Sequence, residues 1–478
     1  MRVLLLVPDG VGIRNFVIGR FLHELAEEAE ICVLHGIPED LVEEYAAAAP
    51  KGIEWRPMMD YAPDRATLTV QYALTYGHMY RANTVAMQRA LFKQHRSGGR
   101  LAHRIWNKVT LHGGQAAAGA GMVEALDSVH CSMVRSRPET AYYRREIERF
   151  RPDVLFCSHQ RPTSVTPVVL AAHELGIPAA SFIFSWDNLS SKGRICAPFD
   201  HYFVWSDYMA EELTRFYPRI RRDHVTIVGT PQFDPYADAS IHWSREEFFR
   251  RVGADPSRKM ICYSGGDAGT CPEDPLHVGV LARLIREGKI EGNPQVLVRP
   301  VPVDDGRRYA AVREEYPEII YCQPEWVFAS KEDWTKVLPT ARDVQFLSNL
   351  TAHADMNINL GSTMTLDFGL HDRPVVNMAF DINDPPLFGM PVYDYYYQYE
   401  HFQPVLKFGA SRVARSEAEL IDYVNAYLRD PALDREGRRA LLDQQVNVPL
   451  GESSRRITEA LLRMVGQASH REAIGAAR

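Results

Sequence analysis

A chain of 478 residues exceeds what one hydrophobic core usually holds, so two domains are expected. A content of 46% hydrophobic and 24% charged residues is that of an ordinary globular protein, and a net charge of −7 argues against a general nucleic-acid binder. The seven cysteines (Cys32, Cys131, Cys157, Cys196, Cys262, Cys271, Cys322) form no CxxC pair, and several lie in apolar runs. They read as reduced, buried thiols in a cytoplasmic compartment and supply no metal quartet.

The chain opens on a buried strand, RVLLLV, whose short apolar run followed by acid and glycine is not that of a signal peptide. Its exit loop, Asp9 to Asn15, carries Gly10 and Gly12 for close backbone approach, and Arg14 is placed to meet a charged substrate. Asn15 stands where a dinucleotide fingerprint would need its third glycine. An amphipathic helix is predicted over Asn15 to Ala29, and AEICVLHG gives the next strand. After a long interruption come the strand VLFCSHQRP, the helix TPVVLAAHELG and the strands IPAASFIFS, HYFVWS and HVTIVG. Alternation of this kind means a parallel sheet covered on both faces, with ligands bound at the carboxyl ends of its strands.

The interruption, about 58–143, reads as a helical insertion and holds no acid from Arg65 to Val123. Its basic part, 81–108, carries Arg81, Arg89, Lys93, Arg96, Arg100, Arg104 and Lys108, interleaved with Leu91, Phe92, Leu101, Ile105 and Trp106. Two readings fit: a basic face that is solvated or paired with acids elsewhere, and a stretch lying on an anionic membrane surface on the cytoplasmic side.

A second α/β unit starts after Asp234, giving domains over 1–234 and 235–424, with C-terminal helices over 425–478 that can cross back onto the first domain. Val228 to Asp234 would be the hinge of a cleft between two facing sheets. MICYSGGDAG is a strand with a glycine-rich exit, where Ser264, Gly265 and Gly266 offer a phosphate-facing turn. QVLVRPVP ends near Arg299, a candidate to neutralise a leaving phosphate, with a salt bridge as the plainer account. Asp304 and Asp305, and the turn from Asp381 to Asp384, read as solvated loops. SEAELIDYVNAYLRD and GESSRRITEALLRMV are capped amphipathic helices. No stretch is apolar over a membrane-spanning length.

The most informative stretch is Ala352 to Asp381. The apolar strand MNINL empties into Gly361, Ser362 and Thr363, a helix follows and ends near Gly369, and PVVNM is the next buried strand. The N–H groups of a helix's first turn lack intrahelical partners and favour an anion, Ser362 and Thr363 add hydroxyls, and Asp367 lies one turn deeper. An ordinary capped helix is the competing account. The order strand, G-S-T, acidic helix residue and P-V-V resembles the donor domain of GT-B glycosyltransferases. The similarity is to bacterial surface-polysaccharide enzymes, with nucleotide-sugar 2-epimerases and CDP-glycerol polymer transferases behind them. The Trp186-Asp187-Asn188 loop and GTPQFD at Gly229 to Asp234 are similar to loops of the same relatives.

The resemblance implies two Rossmann-like domains facing across a cleft and a metal-independent glycosyltransferase without a cofactor. Its co-substrate would be a nucleotide sugar, with the diphosphate at the Gly361–Thr363 turn and the ribose at Asp367, where the family more often has Glu. The acceptor would be a glycan or a lipid-linked glycan. Glycosyl transfer needs a general base, for which Asp187, His159 and Asp9 are the candidates. Arg14, Asn15, Lys192, Glu400 and His401 form a second tier on the acceptor side. The aromatic run Tyr393 to Val405 stacks on a sugar or base, or packs against the helical insertion. The alternatives are a 2-epimerase or hydrolase of nucleotide sugars, a CDP-glycerol-type transferase, and a silent nucleotide- or glycan-binding scaffold. For the second of these, Val301-Pro302 follows Arg299-Pro300 where a histidine is expected.

Overall fold

Continuous apolar runs are the sequence form of strands buried on both faces, and in the computed structural model they build two parallel sheets. The structure describes all residues except 97, 99, 329–336, 387, 388, 477 and 478, and side chains as far as 466. It divides into two compact units, Met1–Asp234 with Gln445–Arg478, and Pro235–Gln444.

The first unit holds β1 (Arg2–Val7), β2 (Glu30–His35), β3 (Glu54–Pro57), β4 (Val154–Cys157), β5 (Ala179–Phe182), β6 (His201–Val204) and β7 (Val225–Ile227). Their order is β3-β2-β1-β4-β5-β6-β7, every pair parallel. The sheet grows outward from β1 on one side and β4 on the other, so the order reverses between those two strands. Phe16, Phe21, Phe156 and Phe182 fill the core beside them, with ring centroids 5.2–5.5 Å apart. The single helix expected over Asn15 to Ala29 is broken. Arg14–Ile18 forms a wide turn, Gly19 is extended, and Phe21–Ala26 restarts the helix. The break lets both Phe16 and Phe21 point into the core, which one continuous helix of that phase would not allow.

Between β3 and β4 run the helices Arg65–Ala82, Val85–His95, Leu101–Gly119, Val123–Arg135 and Pro138–Phe150. The first and third of these meet backbone to backbone. A Cβ on Gly114 would sit 2.6 Å from the Ala73 carbonyl oxygen and 2.7 Å from the Gly77 nitrogen, so no larger residue fits.

The second unit holds β8 (Met260–Ser264), β9 (Gln295–Arg299), β10 (Ile320–Tyr321), β11 (Val327–Phe328), β12 (Val337–Leu338), β13 (Met356–Asn359), β14 (Val375–Met378) and β15 (Arg412–Ala414). Its sheet runs β10-β9-β8-β13-β14-β15, all parallel, and β11 pairs with β12 as a short antiparallel ribbon. The reversal lies between β8 and β13. Phe248, Phe249, Met260, Cys262, Leu297, Leu350 and Phe368 make its core. All seven cysteines are unpaired, and among the described residues no helix is long and apolar enough to cross a membrane.

The C-terminal helix Ser453–Ala476 packs on the helix Phe21–Ala26 of the first unit. Its start is capped from afar. Asp234, 2% exposed, accepts from the Ser453 and Ser454 backbone nitrogens at 3.1 and 2.9 Å and from the Ser454 hydroxyl at 2.7 Å. Replacing Asp234 with alanine leaves those donors buried and unmet, a loss of about 2 kcal/mol. The thermal midpoint of D234A is expected to fall by about 5 °C, with D234N losing less because its amide oxygen still accepts. An unchanged midpoint would show that the cap contributes nothing.

Candidate functional site

At the carboxyl end of β1, Asp9 opens the short helix Gly10–Ile13, and its Oδ1 accepts from the Val11 nitrogen at 3.1 Å. Its Oδ2 lies 2.8 Å from Nδ1 of His159, two residues past the end of β4. The strand-order reversal places these two loops side by side. An ionised carboxylate only accepts, so Nδ1 carries the proton and Nε2 is left as the basic nitrogen. Both residues are buried, at 5% and 2% exposure, so the pair is rigid and largely dry. The loops also touch directly: a Cβ on Gly12 would lie 2.2 Å from Ser158 Oγ. Sequence reading singled out Asp9 and His159 separately, and their pairing follows only from the β1–β4 adjacency.

Asp187, the other proposed base, is engaged within its own loop. Its Oδ2 accepts from the Ser191 hydroxyl at 2.7 Å and pairs with Lys192 at 3.4 Å, and its Oδ1 accepts from Asn188 at 3.2 Å. It shapes the turn into the helix Asn188–Ser191. Lys192 is thereby a partner of Asp187. Arg14 donates to Gln232 at 2.7 Å, and Asn15 is fully buried. Arg161, which follows His159 by two residues, makes no hydrogen bond or ion pair to any described residue. Burial lowers its guanidinium below the ordinary value, while the charges of Asp187 and Asp9 pull the other way.

In the second unit the turn after β13 is held from beneath by a ladder of side-chain amides. The Ser411 hydroxyl donates to Asn377 Oδ1 at 2.5 Å, Asn377 donates to Asn359 Oδ1 at 2.8 Å, Asn359 to Asn357 Oδ1 at 2.7 Å, and Asn357 to Ser264 Oγ at 2.7 Å. Asn357, Asn359 and Asn377 are fully buried, and the ladder crosses from the β15 side through β14 and β13 to the end of β8. Asn359 Oδ1 also accepts from the Ser362 nitrogen at 2.8 Å, which locks the Gly361–Thr363 turn to the strand. MNINL is thus no plain apolar strand, since both of its asparagines point into the ladder.

The turn's nitrogens are less open than the sequence suggested: Ser362 N–H goes to Asn359, and Met364 N–H to Ser362 Oγ at 3.3 Å. The following helix, Met364–Leu370, is seven residues long. Asp367, expected at a ribose, is 5% exposed and its Oδ1 accepts from the Tyr236 hydroxyl at 2.5 Å. That contact ties the helix to the start of this unit. Arg299, expected at the leaving phosphate, is buried and grips both Asp343 oxygens, at 2.9 and 2.8 Å. The Trp326 indole and the Glu325 nitrogen complete the shell of Asp343.

The glycine-rich exit of β8 is equally organised. Gly265 N–H bonds the Arg299 carbonyl at 3.0 Å, and Gly266 N–H donates to Asp274 Oδ2 at 2.7 Å. Arg308 bridges Asp274 at 3.2 Å, Asp304 at 2.5 Å and the Gly266 carbonyl at 2.6 Å. Asp304 is therefore a buried anchor and no solvated loop acid, whereas Asp305 pairs with Arg307 on the surface. The aromatic run also lies inside this unit. Tyr397 is fully buried and donates to the Met378 carbonyl at 2.5 Å, Tyr396 donates to the Thr270 carbonyl, and the Tyr397 ring and the Tyr396 Cβ border Gly361. His401 is buried beside the Tyr399 ring in the turn Glu400–Phe402.

On the insertion, Leu101, Ile105 and Val109 recur every four residues and are 70%, 55% and 56% exposed, with Phe92 at 60%. Arg100, Arg104 and Lys108 are exposed alongside them. Among the described residues one trio can hold a metal ion: Asp127, His130 and Cys131 on the helix Val123–Arg135.

No protein-family model matches the chain, and no curated protein matches it. Solved structures do. The UDP-GlcNAc 2-epimerase of Methanocaldococcus jannaschii superposes with a TM-score of 0.53 at 11% identity, over 97% of this chain and all of the other. The UDP-GlcNAc 2-epimerase of Neisseria meningitidis bound to UDP-GlcNAc gives 0.52 at 10% identity, over 97% and 100%. A glycosyltransferase of Rickettsia africae gives 0.50 at 10%, over 98% of each chain. The fold is the GT-B-like fold of these epimerases and glycosyltransferases: two α/β units, each on a parallel sheet. At such identities the likeness is one of fold.

Burial pushes the Asp274 carboxyl up to about 6, against the opposing pull of the Tyr263 hydroxyl bond and Arg308. A raised carboxyl pKa means the folded state holds the proton more tightly. Its contribution to stability is present below about pH 4, the unfolded value, and is lost as the pH rises through 6. Carboxyl-carbon NMR should find an aspartate titrating near 6 that D274N removes. A midpoint near 4 would contradict the buried network.

Proposed function

We propose that the chain is a glycosyltransferase that moves a sugar from a nucleotide-sugar donor to a glycan or lipid-linked acceptor in the synthesis of a bacterial surface polysaccharide. The observation that carries this reading is the Asp9–His159 pair at the strand-order reversal of the first sheet. His159 Nε2 takes the proton of the acceptor hydroxyl, whose oxygen bonds to the anomeric carbon as the bond to the nucleotide diphosphate breaks. Asp9 holds the tautomer and stabilises the imidazolium that forms. Asp187 and Lys192 set the neighbouring loop. In the second unit the hydroxyls of Ser362 and Thr363, with Ser264 at the end of β8, are the donor's phosphate contacts. Asp367 and Arg299 act through the turn and strand they brace. No metal or cofactor is part of this scheme.

The second reading, a nucleotide-sugar 2-epimerase, is favoured by the fold likeness to enzymes of that name, one of them bound to UDP-GlcNAc. Against it stands the exposed stripe of the insertion, which an enzyme acting on a soluble nucleotide sugar does not need. Apolar residues at helical spacing, flanked by arginines, suit a surface of anionic lipid, where a lipid-linked acceptor resides. A CDP-glycerol-type transferase has less support, since Val301-Pro302 follows Arg299-Pro300 where a histidine is expected. A silent scaffold has no use for a buried Asp–His pair.

Thermal unfolding with UDP-, GDP-, CMP-, CDP- and dTDP-sugars, with and without EDTA, should show one nucleotide family raising the midpoint regardless of EDTA. With that donor, His159→Asn should lower kcat by about 10²–10⁴ while the stabilisation by donor persists. A wild-type rate in H159N would remove His159 as the base.

Vesicles test the stripe. The chain should sediment with vesicles rich in phosphatidylglycerol and less with pure phosphatidylcholine, and Leu101→Glu with Ile105→Glu should abolish sedimentation without changing the thermal midpoint. Equal sedimentation of wild type and double variant would rule the stripe out.

A further inference from the structure

Beneath the helical insertion of the first unit lies a cavity of about 170 Å³ that the reaction above does not use. Arg161 and Arg194 line it, together with His130, Gln71, Thr75 and Thr163. Three of its polar atoms are buried and unmet. His130 is 1% exposed, and both of its ring nitrogens are buried without a hydrogen-bond partner. Gln71 Oε1 is likewise buried and unpartnered. Arg161 has no hydrogen bond or ion pair to any described residue, and Arg194 spends one nitrogen on Asp127 at 2.7 Å. Buried polar atoms are normally satisfied, because each unmet one costs about 1–3 kcal/mol. A cluster of them around two guanidinium groups marks a place that something else completes.

We infer that this cavity is a binding site for an oxyanion, a phosphate or carboxylate group, held by Arg161 and Arg194 with His130 and Thr163 as further donors. Charge decides the sign of the ligand. Arg161 and Arg194 face the space, and Asp127, paired with Arg194, offsets one of the two charges. Asp187 and Asp9 act on Arg161 from outside the lining, and among the described residues no carboxylate lines the cavity itself. A metal ion on Asp127, His130 and Cys131 would have to sit beside that same guanidinium, so the trio is poorly placed for a cation. Size agrees: at about 30 Å³ per water the space holds the equivalent of five or six waters, enough for one tetrahedral or planar anion and its residual hydration. Both His130 ring nitrogens are buried without a partner, and an imidazole always carries a proton on at least one of them to donate. Bidentate guanidinium contacts to phosphate or carboxylate are among the stronger polar interactions a protein makes. The inference stands apart from the choice between transferase and epimerase, since it needs neither the Asp9–His159 pair nor a nucleotide.

The test uses the full chain, with sodium phosphate or sodium acetate replacing chloride at constant ionic strength. Histidine ring carbons are labelled, and the His130 signal is assigned by its loss in His130→Asn. The expected result is a saturable movement of the His130 signal, with a rise in thermal midpoint of about 5 °C at a hundredfold excess over Kd. Arg161→Gln should weaken binding at least tenfold, and Arg149→Gln, an exposed control on the helix Pro138–Phe150, should leave it unchanged. Tighter binding of phosphate or of acetate identifies which anion the site prefers. If R161Q does not fold, Thr163→Val and the wild-type titration decide. A His130 signal that neither anion moves would overturn the inference, as would undiminished binding in R161Q or a signal moved by Zn²⁺ alone.

Discussion

Crossovers between parallel strands are right-handed, so a sheet built outward in both directions from its middle sends its helices to opposite faces and leaves the carboxyl ends of two central strands uncovered. Both units obey this constraint. In the first, it brings the loop after β1 against the loop after β4 and so creates the Asp9–His159 pair from residues 150 positions apart. In the second, it sets the end of β8 against the end of β13 and lets one chain of amides bind Ser264 to the Ser362 turn. The chemistry proposed for the chain is a consequence of where each sheet changes direction.

The two openings are stabilised in different ways. The first is a carboxylate–imidazole pair in a tight shell: Gly12 admits Ser158, Phe184 lies beside the imidazole, and the loop has almost no room to rearrange. The second is a neutral hydrogen-bond ladder with no ionised member, flanked by the charged cluster of Asp274, Arg308 and Asp304. A fully satisfied buried network of this kind defines a single arrangement of the turn. The same network leaves few turn nitrogens for a ligand, which is why the donor role is placed on hydroxyl groups and not on the dipole of a seven-residue helix.

Much of this was legible in the residues alone. Continuous apolar runs announced the central strands of both sheets but not the edge strands β3 and β15, and the Gly361–Thr363 turn and the strand-end position of His159 were visible from pattern. What could not be read was pairing across distance. Arg299 looks free for a phosphate until Asp343 is brought beside it by the helix that follows β12. Asp367 looks available until Tyr236, 131 positions earlier, reaches it. Asp304 looks like a loop acid until Arg308 folds back over Gly266. Arg299 and Asp367 were of the right type and position for a ligand, and each is claimed by a partner distant in sequence; the Asp304 partner is local, four residues on. The broken helix after Asn15 has a local cause at Gly19, one that hydrophobic spacing alone does not register.

The choice between transfer and epimerisation turns on one bond. Inverting C2 of a sugar requires breaking its C2–H bond, whereas glycosyl transfer breaks only the anomeric C–O bond. The most direct measurement is proton NMR of the stabilising nucleotide sugar incubated in D₂O with the chain and vesicles carrying membrane glycolipid. Glycosyl transfer predicts release of the nucleotide with the C2 proton retained in a lipid-bound sugar. Deuterium entering at C2, with a second sugar epimer appearing in solution, would contradict it.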